Sequence, residues 1–204
     1  MTDGGPRTRL TADERRRQLV RAAVRAFARD GFHGATTRSI AAEAGVAEAL
    51  LYRHFSSKRD LYLSTVALTS DRMVDALRRI LEEHADAPRQ AVYALLGFYR
   101  TMLLRNPDLA KMIFLVSAEL DAEDVRDVYL PRQEVALDLL EAAFTTWQAQ
   151  GFVAAGLAPR ALAWMVLGSY QVVALMQHSG RIDEVPPDAT RALLETLLGP
   201  PPTR

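Results

Sequence analysis

The chain has no cysteine among its 204 residues, which excludes a disulfide framework and any thiolate metal site. Its four histidines lack metal-ligand spacing, and no glycine-rich phosphate loop or nucleophile motif is present. The acidic stretch Asp121 to Asp127 lacks the central glycine and terminal glutamate of a calcium loop, so it reads as a solvated helix start. No enzyme, metal or cofactor is therefore expected. Long hydrophobic runs are missing too. The most apolar stretch, Ala161 to Met176, is interrupted by Gly168, Ser169 and Gln171 and falls short of the ~20 residues of a membrane span. Met1 to Leu10 lacks the apolar run of a secretory signal, so a cytoplasmic location with no membrane partner is expected. Lysine is scarce, with only Lys58 and Lys111. Neither strand alternation nor an internal repeat occurs, which leaves an all-α reading.

The hydrophobic share of 49% is enough for a packed core. The zero net charge conceals an asymmetry: residues 1–60 carry 12 Lys/Arg against 7 Asp/Glu, and residues 61–204 carry 13 against 18. A basic module on an acidic body suits phosphate attraction confined to one end. Arg15, Arg16, Arg17, Arg21, Arg25 and Arg29 also fit a merely solvated helix face.

The pattern divides into a tail (1–10), a small helical domain (11–57), a larger helical domain (58–198) and a second tail (199–204). Thr11 with Glu14 reads as a capping box, and Leu19, Ala23, Ala26 and Phe27 then recur at helical spacing up to Asp30-Gly31. Ser57 with Asp60 resembles another box, opening a long helix to about Glu83. Further helices are expected over 89–105, 108–120, about 121–150 (with a possible irregularity at Pro131), 159–178, and from Pro186-Pro187 to Leu198.

Residues 36–59 are the most informative. They read as two short helices joined by a glycine turn, a unit able to present one helix to the major groove of DNA. Thr36 or Thr37 can cap the first helix, whose inner side carries Ile40, Ala41 and Ala44. Gly45 marks the reversal, where a left-handed conformation is easiest for glycine. Val46 and Leu51 then face inward, leaving Glu48, Ala49, Leu50, Arg53 and His54 outward.

The run Val46 to Lys58, with Leu51-Tyr52-Arg53-His54-Phe55 followed by Ser57-Lys58, resembles the DNA-binding region of the tetracycline-repressor (TetR) family. Ile40-Ala41 and Gly45-Val46 fit it as well, and the close match covers roughly residues 11–65. The resemblance implies an N-terminal three-helix helix-turn-helix domain and a larger helical ligand-binding and dimerisation domain. It implies phosphate contacts from Tyr52, His54 and Lys58, and from Thr37 while it also caps. Arg38 fits a base-reading position, with a phosphate contact or a salt bridge to Glu43 as the alternatives, and Arg53 is divided in the same way. The chain departs from the common pattern at Ala47-Glu48-Ala49-Leu50. Ala49 and Leu50 can only touch a thymine methyl or fill space, and Glu48 repels phosphate while accepting from cytosine N4. Direct readout is then sparse, with specificity resting on Arg38, Arg53 and duplex shape.

For the larger domain the resemblance implies a cavity for a small, largely apolar effector. Met73, Leu77, Tyr93, Tyr99, Met102, Met112, Phe114, Trp147, Trp164, Met165 and Tyr170 fall in the enclosing helices, though such residues are more often ordinary core. Glu119 either opposes a cationic ligand or forms a rim salt bridge. Leu167, Tyr170, Gln171, Ala174 and Leu175, together with Ala189, Ala192, Leu193, Thr196 and Leu197, match the family's four-helix dimer interface. The implied protein is a homodimeric repressor released from a palindromic operator in double-stranded DNA by its effector. The alternative is a helical small-molecule-binding protein whose DNA module no longer works.

Overall fold

Thr11 starts the first helix with both halves of its capping box. Its hydroxyl accepts from the Glu14 amide at 3.2 Å, and its own N–H donates to the Glu14 carboxylate at 2.8 Å. Helix α1 (Ala12–Gly34) is interrupted at Gly31, whose φ of 69° lies in the left-handed region that glycine enters without steric cost. In the computed structural model, the residues described are 10–154, 156–184, 186 and 192. Among them are eight α-helices and one 3-10 turn, and no strand.

The chain forms two compact units that divide between Thr65 and Val66. The division lies inside α4 (Lys58–Glu83), rather than at its start, because the helix's first turns belong to the first unit. There the Tyr62 ring packs edge-on against Phe27 at 5.1 Å and tilts over Phe32, while Leu61 and Thr65 are buried. The rest of this core comes from Leu19 and Ala23 of α1, Ile40 and Ala41 of α2 (Thr37–Glu43), Leu51 of α3 (Glu48–Tyr52), and Phe55. Few large side chains share the work, each contributing about 1.5–3 kcal/mol by burial. Loss of one is correspondingly damaging.

The second unit holds the rest of α4, then α5 (Pro88–Arg105), α6 (Pro107–Ala118), α7 (Glu123–Ala149), α8 (Pro159–His178) and a 3-10 turn at Ile182–Glu184. Proline opens α5, α6 and α8, where a missing N–H leaves no intrahelical bond unmade. Helix α7 continues through Pro131, and Arg132 Nη1 donates to the Val128 carbonyl in the adjoining turn at 2.7 Å. The main core gathers Leu77, Leu95, Leu137, Leu140, Phe144 and Trp147, and a second cluster gathers Leu103, Ala110 and Ala174. Helix α8 packs on α5, α6 and α7. The expected last helix, with Ala189, Leu193, Thr196 and Leu197, lies outside the described residues; Ala192 is helical and exposed. Among the described residues no helix is long and apolar enough to cross a membrane.

Candidate nucleic-acid interface and cavity

Thr36, not Thr37, is the N-cap of α2. Its hydroxyl accepts from the Ser39 amide at 3.0 Å, while Ser39 Oγ accepts from the Thr36 amide at 3.1 Å. The chain then reverses at Gly45, where φ is 68°, and Val46 N–H donates back to the Ala41 carbonyl. Helix α3 follows with Ala47 at its cap position and no side-chain cap bond. Its single fully buried residue is Leu51. Ala47, Ala49, Tyr52 and Arg53 are exposed, while Glu48, Leu50 and His54 are half-buried. The unit thus displays an outer edge with little hydrogen-bonding capacity at its start and Arg53 at its end.

Glu48 is held rather than free. Thr37 donates its one hydroxyl proton to Glu48 Oε1 at 2.6 Å, so the 3.1 Å contact between Thr37 and Tyr52 has the Tyr52 phenol as donor. Arg38 approaches the same carboxylate at 3.6 Å from an almost fully exposed position. Glu48 therefore ties α2 to α3 and leaves the Arg38 guanidinium at the surface, within reach of an incoming acceptor. The Arg38–Glu43 salt bridge, one of the alternatives to base reading, does not form. Glu43 pairs instead with Arg25 at 2.7 Å and Arg29 at 3.4 Å, because it ends α2 on the side facing α1. These two hydrogen bonds, Arg25 first, hold the Glu43 carboxyl below its ordinary value.

Lys58 is engaged within its own unit. Its ammonium reaches the carbonyls of Phe32 and Ala35 at 2.9 and 3.0 Å and that of His33 at 3.5 Å, and lies 4.7 Å from the Phe32 ring centre. Its donors are thereby directed at the C-terminal turn of α1, where carbonyls have no intrahelical partner. Arg16 makes a second tie. Its guanidinium sits 4.5 Å over Phe55 and donates to the His54 carbonyl and the Ser64 hydroxyl. The α4 start departs slightly from the expected box. Ser57 Oγ caps the Asp60 amide, but the Asp60 carboxylate accepts from the N–H and hydroxyl of Ser56. The Ser56 amide bond is the chief reason the Asp60 carboxyl titrates below the ordinary aspartate range. A depressed carboxyl contributes stability above its unfolded value and loses it as pH falls through the folded one. Acid titration of wild type and Asp60→Asn, followed by circular dichroism, should therefore show the wild-type advantage shrinking below about pH 4.

Within the second unit a cavity of about 250 Å³ is lined by parts of α4, α5, α6, α7 and α8. Of the expected pocket residues it brings together Met73, Tyr99, Met112, Trp164 and Tyr170. Leu77 and Trp147 belong to the main core, and Met102 and Phe114 pack on the second cluster. Tyr93 and Glu119 are not among its lining residues, and Met165 is 61% exposed. Sequence reasoning missed Thr69, Ser70, Tyr129 and Gln133, which line the cavity from α4 and α7. The polar members sit among apolar ones, so a search for methionine and aromatic spacing passes over them. Among the described residues the lining contains no charged side chain. Burial pushes the Tyr99 phenol up to about 12 and carries Tyr170 well above its ordinary value, with Tyr129 and Tyr99 near enough to add to the effect.

The residues expected at a dimer face divide. Leu167, Tyr170 and Gln171 line the cavity and Ala174 is wholly buried in the second cluster, whereas Leu175 is 55% exposed. Trp164, Met165 and Val172 are exposed with it, at helical spacing along one side of α8. The apolar stripe is real but rotated from the expected residues, since α5, α6 and α7 cover the other side.

Residues 19–65 match the family model described as bacterial regulatory proteins, tetR family. Over 98 residues the chain is 40% identical to the HTH-type transcriptional activator FasR of Mycolicibacterium smegmatis, covering 47% of this chain and 45% of that protein. It is 35% identical over 108 residues to the nucleoid occlusion factor SlmA of Escherichia coli, covering 50% and 52%. The chain spans about half the length of the curated relatives it matches. Among solved structures it resembles a TetR-like transcriptional regulator from Rhodococcus sp. RHA1 (TM-score 0.66, 25% identity, 93% of this chain and 96% of that one). It also resembles the transcriptional regulator FadR of Bacillus subtilis in complex with stearoyl-CoA (TM-score 0.71, 22% identity, 90% and 97%).

Proposed function

We propose that the chain is a dimeric, effector-responsive DNA-binding regulator of transcription of the TetR type, a reading supported by the match of residues 19–65 to the tetR family model. The observation that carries this reading is the α2–turn–α3 unit, with its glycine reversal, its buried Leu51 and its outward Arg38 and Arg53. Two such units related by a two-fold axis would enter successive major grooves about 34–36 Å apart. The exposed stripe of Trp164, Met165, Val172 and Leu175 supports self-association, since an apolar face of this kind is seldom left in water.

The effector acts through α4. Val66, Thr69, Ser70 and Met73 of this helix line the cavity, and its first turns carry Leu61 and Tyr62 of the DNA-reading unit's core. A ligand favouring a different setting of α4 lowers operator affinity by its differential binding energy. The reading is of a repressor released by its effector, a frequent mode in this family. The test is selection of duplexes from a random pool, followed by gel-shift titration at two salt concentrations. A two-fold symmetric motif and a steep salt dependence are expected. Salt-insensitive or absent binding would instead leave a helical small-molecule-binding protein with an inert DNA module.

Arg38→Ala should relax preference at one position per half-site by about 1–3 kcal/mol, read as a flattened base frequency in the selected pool. Unchanged selectivity would show that Arg38 touches only the backbone of DNA.

A further inference from the structure

Three phenols, Tyr99, Tyr129 and Tyr170, meet at the cavity from α5, α7 and α8. The Tyr99 and Tyr170 rings lie 5.0 Å apart, and Tyr129 is close enough to Tyr170 to act on it electrostatically. None of the three hydroxyls makes a hydrogen bond to a described residue, although Tyr99 is 3% exposed. Tyr129 and Tyr170 are half-buried, and all three residues line the cavity, so their hydroxyls keep their hydrogen-bonding capacity for whatever occupies it. Phenols that stay protonated are donors, so the group they are placed to hold is an acceptor. Among the described residues no carboxylate lines the cavity to supply one, and no cation lines it to balance an anionic ligand.

We infer that the cavity takes an uncharged, mostly apolar molecule bearing a carbonyl oxygen, and that the phenols of Tyr99 and Tyr170, whose rings are paired, hold that oxygen. A carbonyl offers two lone pairs, one to each of these donors, and Tyr129, Gln133 and Gln171 are available to a second polar group. A carboxylate ligand is disfavoured, because its charge would enter an apolar space with no cation among the lining residues. The volume of about 250 Å³ exceeds the ~150 Å³ that holds benzene, so a bicyclic or short-chain molecule fits. This deepens the effector site of the proposed regulator and rests on that reading for its regulatory meaning alone.

The experiment titrates the full chain calorimetrically with three matched probes: 2-acetylnaphthalene, 2-ethylnaphthalene and 2-naphthoate. The ketone should bind at least tenfold more tightly than the hydrocarbon, and the carboxylate more weakly than the ketone. Tyr170→Phe and Tyr99→Phe should each remove most of the ketone's advantage while leaving hydrocarbon affinity unchanged, which also reports that the variants are folded. The carbonyl stretch of the bound ketone should lie at lower frequency in wild type and move back up in either variant. Equal affinity for ketone and hydrocarbon, preference for the carboxylate, an unmoved carbonyl stretch, or binding of no probe overturns the inference. Duplex binding is measured separately without probe. Failure there with intact ketone preference removes the regulator and spares the site, and the reverse result does the opposite.

Discussion

Phe27→Ala should abolish duplex binding at physiological temperature by unfolding the first unit. Phe27 is fully buried, meets Tyr62 edge-on at 5.1 Å and stacks near Phe32 at 6.1 Å. Truncating a buried phenylalanine costs about 3–5 kcal/mol, from lost transfer energy and the cavity left behind. A unit of this size, ending at Thr65, has roughly 3–8 kcal/mol of stability to lose. Phe27 joins α1 to the first turns of α4, so its removal also detaches the surface on which α2 and α3 rest. Thermal unfolding of the variant should show an early transition with lost helicity, and ketone binding in the second unit should survive. Retention of wild-type duplex affinity would mean that the aromatic cluster of Phe27, Phe32 and Tyr62 does not support the reading helix.

Lys58→Ala should destabilise the first unit by about 2–4 kcal/mol, the range for losing more than one hydrogen bond from a charged donor. The side chain closes the end of α1 by donating to the carbonyls of Phe32, His33 and Ala35. Without it those oxygens must find water, and the turn after Gly31 loses its anchor to α4. Lys58→Met separates packing from hydrogen bonding, since its stem can still cover Phe32. It should recover only part of the loss in chemical denaturation. A phosphate-contact role makes the opposite prediction: unaltered stability, with the slope of affinity against salt reduced by about one charge. The two roles are therefore distinguished by measuring stability and salt slope on the same variants.

Much of the helical order is legible without coordinates because it rests on local chemistry. The Thr11–Glu14 box, the glycine reversal at Gly45, the proline starts at Pro88, Pro107 and Pro159, and the stop at Asn106 each depend on residues a few positions apart. Helical periodicity likewise marks Leu19, Ala23 and Phe27 as inward, and all three are buried. The partners of long, flexible side chains are another matter. Lys58 finds carbonyls 23 to 26 positions back in sequence, Arg16 reaches Ser64, and Glu43 takes Arg25 and Arg29 instead of Arg38. No spacing rule encodes those meetings, because they depend on how the helices cross.

Cavity and stripe follow the same division. Met73, Tyr99, Met112, Trp164 and Tyr170 could be nominated from residue type, but so could Leu77 and Trp147, which became core, and Met102, which packs half-buried on the second cluster. An apolar helix such as α8 does not announce which side its neighbours will cover. Ala174 and Leu175 are adjacent, yet one is buried and the other half exposed. The sequence by itself determined the helices, their ends and the DNA-reading motif, since these follow from short-range hydrogen bonding and 3.6-residue periodicity. Only the tertiary structure decided that Lys58 closes the end of α1, that Glu48 bridges α2 and α3, and that three tyrosines line one cavity. Those outcomes are set by the relative rotation and crossing of helices, which long-range packing fixes and local propensity does not.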